Sequence, residues 1–407
     1  MSRLDVLLAS YLDDLDTRHR FRRLHELRPA GPGRVRRAGR LLINFSSNDY
    51  LGLASHPALI ERAQEWAASW GAGATASRLI CGTLEIHERV EAKIAVFKQV
   101  EAALVFASGF QANATVLPAL LDRLVLRAEP VVFADALIHA SMHHGCRAAK
   151  VRPQLYRHND LAHLNELLAA NADRPGPRFI LTESVFSMDG DRSNVPALAD
   201  LAERHNAFLY LDEAHATGVL GPGGAGLAAL APGRVDLVMG TFSKALGGFG
   251  AYVAGSNILR DYLINRCGGF IYSTALPPAM LGAIDAALDL VPSMDKEREI
   301  LRDMAQRLRD LLNAEGLDTG FSTTQIVPVL IGDDAAAVTL GQSLEDAGFL
   351  GAAIRPPTVR PGSSRMRFAL SAAHRMEDVE SLAAAVVRAS RQSAPANTPA
   401  NTIAAAP

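Results

Sequence analysis

Residues 178–213 read RFILTESVFSMDGDRSNVPALADLAERHNAFLYLDE, in which two apolar runs enclose a segment long enough for a helix. A short continuous apolar run is typical of a strand buried on both faces of a sheet. Similar runs recur at AALVFAS (102–108), PVVFAD (130–135), VDLVMGT (235–241) and AYVAG (251–255). We therefore predict an α/β fold with a mostly parallel central sheet flanked by helices.

Towards both ends of the chain, the alternation of apolar runs and helical segments gives way to other sequence patterns. We predict one large α/β domain over residues 60–285 and an α+β domain over 286–391, which opens with an amphipathic helix and adds two strand-like runs. Residues 1–59 are interpreted as an amphipathic helix and a Gly/Pro/Arg-rich connector, RPAGPGRVRRAGR, so that the smaller domain is built from both termini. The tail 392–407 is poor in bulky apolar residues and is predicted to be disordered.

Composition narrows the classes of function. The 407 residues are 49% hydrophobic and carry a formal net charge of −2, which argues against nucleic acid or a membrane surface as the main partner. No apolar run reaches the roughly 18–20 residues of a membrane span. Three widely spaced cysteines indicate neither a disulfide framework nor a zinc site, and a cytoplasmic location is expected.

Several common catalytic motifs are absent. The sequence contains no phosphate-binding GxxxxGK[ST], no HExxH and no GxSxG. Its glycine-rich stretches at 221–226 and 247–250 lack the strand–GxGxxG–helix context, so a dinucleotide-binding oxidoreductase is only weakly supported.

Polar residues follow four of the predicted strands. Ligands in open α/β sheets bind beyond the carboxyl ends of the strands. Any one of these residues alone is more often a helix cap or a satisfied polar group, but together they predict a site. They are Asp135, His139, Glu183, Ser187, Asp212, Glu213, His215, Thr241, Ser243 and Lys244.

Lys244 is unusual because the chain has only five lysines among its 41 basic residues. It lies among small and apolar residues, whereas Lys93 and Lys98 follow an amphipathic helical pattern and are interpreted as ordinary helix lysines. A desolvated lysine can be neutral and form a Schiff base with a carbonyl, whereas arginine stays protonated. If the carbonyl belongs to pyridoxal 5'-phosphate (PLP), Asp212 would pair with the ring nitrogen and His139 would stack on the ring.

Four motifs resemble those of the α-oxoamine synthases, PLP enzymes of aminotransferase fold type I. They are NFSSNDYLGL (44–53), VFSMDGD (185–191), DEAHATGVLG (212–221) and TFSKALGGFGAYVAG (241–255), and the resemblance spans about residues 15–390. Within that family, IYSTALPP (271–278) and IRPPTV (354–359) are most similar to members that condense L-alanine with a pimeloyl thioester, on CoA or acyl carrier protein, in biotin biosynthesis.

The resemblance implies a role for each matching residue. Lys244 would hold PLP and move the Cα proton of the substrate, with Asp212 on the ring nitrogen. The other implied cofactor contacts are His215 and Ser187 near the ring oxygen, His139 on the ring face, and Gly109, Phe110 and Thr241 on the phosphate, joined by Ser273 and Thr274 from the partner subunit of a homodimer. The implied substrate contacts are Asn48 and Arg355 for the carboxylate, and Arg22 and Thr358 for the acyl chain.

Two alternatives stay open beside this interpretation. A glycine-using member of the family, such as glycine C-acetyltransferase or 5-aminolevulinate synthase, would share the same motifs. A catalytically silent subunit would keep the fold, but such chains typically lose the lysine, which is present here.

Overall fold

The computed structural model describes residues 2–393. Its N-terminal segment contains more regular secondary structure than the sequence predicted. Helix α1 (Arg3–Thr17) starts with a capping box between Ser2 and Asp5. The stretch predicted as a connector instead forms antiparallel strands β1 (Arg28–Pro29), β2 (Arg34–Arg37) and β3 (Arg40–Asn44). The reason is the turn: Ala38 and Gly39 have φ of 48° and 81°, as a two-residue hairpin requires.

The large domain alternates strands and helices as predicted. Its elements are α2 (Pro57–Trp70), α3 (Glu85–Lys98), β4 (Ala102–Phe106), α4 (Gly109–Leu120), α5 (Arg123–Leu126), β5 (Val131–Asp135), α6 (Ala140–Ala148), β6 (Gln154–Tyr156), α7 (Leu161–Ala170), β7 (Arg178–Glu183), α8 (Val195–Arg204), β8 (Ala207–Asp212), β9 (Leu237–Thr241), β10 (Ala251–Gly255), α9 (Asn257–Arg266), α10 (Gly268–Ile271) and α11 (Pro278–Leu290). Among the strands of this domain, the sequence patterns did not predict β6, which is short and partly exposed.

These strands form one seven-stranded sheet in the order β4-β10-β9-β8-β7-β5-β6. Strand β10 is antiparallel to both of its neighbours, and the other pairs are parallel. The predicted, mostly parallel sheet is therefore confirmed. The register pairs Glu183 with Asp212 and Asp212 with Met239, so the polar strand ends meet at one edge of the sheet.

The C-terminal elements complete a smaller α+β unit. They are α12 (Asp295–Ala314), β11 (Ile326–Gly332), α13 (Asp334–Asp346), β12 (Phe349–Leu350), β13 (Ala352–Ile354), β14 (Ser364–Ala369) and α14 (Met376–Ser393). Strands β11, β14 and β13 form an antiparallel sheet, while β12 pairs in parallel with β3 of the N-terminal segment. Residues 394–407 of the tail lie outside the described residues.

Arginines of the N-terminal segment join it to the C-terminal elements. The ion pairs are Arg20–Asp334, Arg34–Asp378, Arg37–Glu345 and Arg40–Asp346. Each partly exposed pair contributes little alone, about 0–1 kcal/mol, but together they fix which surfaces meet. Across residues 2–393, none of the helices combines the length and the apolar character needed to cross a bilayer.

Candidate active site

Lys244 lies in the loop that connects β9 to β10, at the carboxyl edge of the sheet. The loop is closed by hydrogen bonds from Gly247 N to Lys244 O (2.9 Å) and from Gly248 N to Phe242 O (2.8 Å). Gly247 has a φ of 66°, and a Cβ there would lie 2.5 Å from the carbonyl carbon of Leu53. Only glycine fits this close approach, so the sequence after Lys244 holds the loop against the N-terminal segment.

The surroundings of Lys244 favour a neutral amine. Burial lowers its pKa to about 8; the nearby Arg367 acts in the same direction, while Asp212 and Glu183 oppose the shift. At neutral pH a useful fraction of such an amine is unprotonated and can act as a nucleophile or base.

Asp212 ends β8 with its side chain almost fully buried. Its Oδ2 accepts from Asn113 Nδ2 at 2.8 Å and its Oδ1 from the backbone N–H of Ala214 at 2.9 Å. Within residues 2–393 it forms no ion pair. A buried carboxylate that lacks a cationic partner is suited to a positively charged ligand group.

Glu183 is a second buried carboxyl group beside Asp212. Burial, with the neighbouring Asp212, raises the pKa of Glu183 well above its ordinary value. Its Oε1 is buried without a hydrogen-bond partner in the described structure. The raised pKa and the unpaired oxygen both favour the protonated form of Glu183.

The two predicted histidines lie close to Lys244. His215 is buried, and its Nδ1 is 2.7 Å from the hydroxyl of Tyr50. Burial and the charges of Lys244 and Arg367 lower the pKa of His215 well below its ordinary value. His139 caps α6 and places its Nδ1 2.7 Å from Ser141 Oγ.

The predicted phosphate residues meet at the N-terminus of α4. Ser108 Oγ caps Gln111 N at 3.1 Å, leaving the N–H groups of Gly109 and Phe110 at the helix start. A Cβ at Gly109 would lie 2.7 Å from Thr241 Cγ2, so glycine makes room for the threonine. Helix N-termini of this kind bind anions.

Ser273 and Thr274 lie on the same side of the molecule as the start of α4. Ser273 Oγ accepts a hydrogen bond from Gln111 Nε2 at 2.6 Å. Thr274 is exposed and forms an isolated bridge with Ser77. Their predicted reach into a partner subunit stays a prediction.

The arginine beside the site is one that the sequence analysis did not select. Arg367, on β14, is 5% exposed and contacts Ser187 O (2.6 Å) and Asn48 Oδ1 (3.2 Å). No carboxylate of the described residues pairs with it. Alternation in RMRF (365–368) puts Arg365 and Arg367 on one face of the strand, but the pattern alone does not say whether that face is buried.

The predicted residues Arg355, Arg22 and Thr358 form a separate cluster. Arg355 contacts the carbonyl of His19, and Arg22 Nη2 donates to Thr358 Oγ1 at 3.2 Å. Burial and the proximity of Arg22 lower the pKa of Arg355. The side chain that contacts Asn48 is thus Arg367, while Arg355 and Arg22 face each other.

Two strand-end acids have structural partners instead of joining the site. Glu213 forms a buried ion pair with Lys98, which also donates to Ala225 O. The interpretation of Lys98 as an ordinary helix lysine is therefore wrong, because α3 ends with this side chain pointing inward. Asp135 pairs with His158, which also contacts Asp191.

Comparison with known proteins agrees with this geometry. The sequence pattern of the family described as aminotransferase class I and II matches residues 40–386. An 8-amino-7-oxononanoate synthase from Gluconacetobacter diazotrophicus is 58% identical over 96% of this chain and 99% of that protein. The chain belongs to the 8-amino-7-oxononanoate synthase family of the class I and II aminotransferases. A second member, from Geobacter sulfurreducens, is 44% identical over 95% of this chain and 98% of that protein.

Solved structures of related enzymes have the same fold as this chain. Serine palmitoyltransferase from S. paucimobilis, with PLP and myriocin bound, has a TM-score of 0.89 at 26% identity and covers 97% of this chain and 99% of its own. The 8-amino-7-oxononanoate synthase of Francisella tularensis has a TM-score of 0.73 at 26% identity, covering 86% of this chain and 98% of its own. The chain is therefore a PLP-dependent enzyme of the acyltransferase type.

The residues present fit PLP. The carbonyl of PLP needs an amine of lowered pKa, which Lys244 supplies. Its ring nitrogen needs a buried carboxylate, which Asp212 supplies. Its phosphate needs an anion-binding helix N-terminus, which α4 supplies at Gly109.

Proposed function

We propose that this chain condenses L-alanine with a pimeloyl thioester, releasing 8-amino-7-oxononanoate, CO2 and the free thiol in biotin biosynthesis. The observation that carries the proposal is the Lys244 amine, held at a lowered pKa beside the buried Asp212, in a chain 58% identical to a named synthase. The acyl donor is a CoA or acyl carrier protein thioester. The enzyme acts as a cytoplasmic homodimer.

The geometry of the site supports the following proposed cofactor contacts. Lys244 Nζ is the attachment point, and Asp212 holds the ring nitrogen. The remaining contacts proposed for PLP are His139, Ser187 and His215 around the ring, and Gly109, Phe110 and Thr241 on the phosphate, with Ser273 and Thr274 of the partner subunit. When bound, PLP supplies an electron sink for the electron pair left on Cα when a bond there breaks.

The substrate carboxylate is assigned to Arg367. Its guanidinium is buried and close to Lys244, and its hydrogen-bond partners among residues 2–393 are neutral oxygens. A planar guanidinium binds a carboxylate through two parallel hydrogen bonds, which fixes orientation as well as charge. This assignment replaces Arg355 with Arg367 and keeps Asn48 as its neighbour.

Lys244 then moves protons at Cα of the bound amino acid. As a neutral amine of pKa about 8 it takes the Cα proton, and as an ammonium it returns one. The cluster of Arg22, Arg355 and Thr358 is proposed for the acyl donor side, where its paired positive charges suit an anionic group.

Substrate choice is tested by thiol release from purified, PLP-loaded protein. Alanine, glycine and serine are each combined with pimeloyl, acetyl, succinyl and palmitoyl thioesters, and the product is identified by mass spectrometry. We expect the highest kcat/KM for alanine with pimeloyl thioester. Preference for glycine with acetyl or succinyl thioester would assign one of the glycine-using relatives instead, and preference for serine with palmitoyl thioester would follow the structural neighbour.

A further inference from the structure

A chain of buried hydrogen bonds connects Asp212 to His139. Asn113 and Ser141 are both fully buried between them. Asn113 Nδ2 donates to Asp212 Oδ2 at 2.8 Å and to Ser141 Oγ at 2.9 Å, and its Oδ1 accepts from Tyr210 at 2.7 Å. Every polar atom of the Asn113 side chain is therefore used, which fixes the orientation of its amide.

The direction of each bond follows from the ends of the chain. An ionised Asp212 only accepts, so Asn113 must turn its Nδ2 towards it, and the second hydrogen of that group goes to Ser141 Oγ. Ser141 Oγ accepts there and has its own hydrogen to donate to His139 Nδ1, at 2.7 Å. The backbone N–H of Ser141 also points at this nitrogen, at 3.3 Å.

With two donors aimed at Nδ1, the neutral ring of His139 carries its hydrogen on Nε2. We propose that Ser141 and Asn113 are positioning residues that hold His139 uncharged in the Nε2–H form, so that it presents a hydrogen-bond donor to the reacting substrate. This inference rests on the proposed function only for the identity of that substrate. The tautomer itself is a property of the chain.

The charged and titratable groups around His139 shift its pKa in opposite directions. They are Asp212 at the end of β8, Glu183 at the end of β7, Lys244 after β9, His143 on the next turn of α6, and His215. Burial lowers the pKa of His139, and Lys244 adds to this, while Asp212 opposes it. The net direction agrees with a ring held neutral by its Nδ1 donors.

A second histidine shows what capping alone looks like. His56 caps α2 in the same way, with Nδ1 accepting from Ala58 N at 3.2 Å, but no side-chain hydroxyl within residues 2–393 donates to it. The hydroxyl of Ser141, itself oriented by Asn113, is what distinguishes His139. If capping were its whole role, this extra donor would be dispensable.

The tautomer is measured by long-range ¹H–¹⁵N NMR on ¹⁵N-histidine-labelled protein, with and without PLP. The His139 signals are identified by their loss in His139→Gln. We expect an unprotonated Nδ1 and a protonated Nε2 at pH 7.5 in both states. A protonated Nδ1 in the wild-type chain would overturn the proposal, whether or not any variant folds.

Ser141→Ala removes the hydroxyl donor that favours the neutral ring. The protonation midpoint of His139 should then rise by about 0.5–1 pH unit, and the acidic limb of kcat/KM should move up with it. The matched control is Ser184→Ala, which removes a buried serine hydroxyl that contacts Asp212 O at 3.3 Å rather than His139. An unchanged midpoint in Ser141→Ala, or an equal shift in both variants, would contradict the proposal.

These results separate the inference from the function. If no thioester is consumed by the wild-type protein, the proposed reaction fails while the tautomer measurement still decides the role of Ser141.

Discussion

At the scale of single residues, the site depends on ionisable side chains that lie close together, several of them buried. Burial lowers the pKa of Lys244 to about 8, and the Asp212 carboxyl group accepts hydrogen bonds from two neutral donors, Asn113 and the backbone N–H of Ala214. The same environment explains why Arg367 is free to bind a ligand carboxylate, because its protein partners are neutral oxygens. Each of these groups can be tested by a substitution that changes charge but little volume.

Asp212→Asn should reduce kcat by about 10²–10³, because the ring nitrogen of the cofactor loses its ionised partner. The free energy of unfolding should fall by only about 1–2 kcal/mol, since the asparagine oxygen still accepts one of the two existing hydrogen bonds. Steady-state kinetics and urea unfolding measure the two effects. Asp303→Asn, on the exposed face of α12, is the control, and a loss of stability without a loss of kcat would contradict the role.

Arg367→Lys should raise KM for the amino acid by about 10- to 100-fold, with a smaller effect on kcat, because a lysine cannot form the two parallel bonds. The matched variant is Arg355→Lys, which should leave that KM nearly unchanged and alter KM for the thioester. The reverse result would return the carboxylate to Arg355.

At the scale of elements, one buried ion pair ties the end of α3 to the strand that carries Asp212. Lys98 is the last residue of α3 and Glu213 directly follows β8, and both side chains are almost completely buried. Breaking such a pair leaves a charge in a poorly polarisable interior. The pair therefore fixes how α3 meets the active edge of the sheet.

Lys98→Met should lower the free energy of unfolding by about 3–5 kcal/mol, as measured by urea denaturation. Replacing both partners, with Lys98→Met and Glu213→Leu, should recover part of this loss because no charge remains unpaired. Lys93→Met on the same helix is the control; its partner Asp285 keeps Arg62 and Arg89, so the cost should be smaller. Equal costs for Lys98→Met and Lys93→Met would show that the buried pair is not special.

At the scale of the whole molecule, the sheet and its active edge could be predicted from sequence, and the joints between segments could not. The strands are continuous apolar runs, and Lys244, Asp212 and His215 follow directly from where those runs end. Strands β1–β3 were missed because their Gly, Pro and Arg content resembles a linker until Gly39 is seen to make a turn. Lys98 and Arg367 were missed because helix and strand periodicity indicate faces, and only tertiary packing decides that these faces are buried.

The free energy of unfolding should depend on pH through His158, which connects the loop after β6 to Asp191 in the loop after β7. Burial alone would lower the pKa of His158. The hydrogen bonds and charges of Asp135 and Asp191 outweigh this effect and raise the pKa to about 10. The raised pKa means that the stabilisation is complete below about pH 6.5 and is lost as the pH rises towards 10. Urea unfolding should therefore show His158→Gln to be most destabilising near pH 6 and least near pH 10, whereas His25→Gln, at an exposed position, should show no such trend.

The central claim is a covalent attachment at Lys244, and borohydride reduction of the PLP-loaded protein tests it most directly. After proteolysis, mass spectrometry should find the reduced pyridoxyl group on the peptide that contains Lys244. The visible absorbance band of the loaded protein should shift on reduction and be absent from Lys244→Ala. A pyridoxyl group on another lysine, or a protein that stays colourless with PLP, would contradict the account.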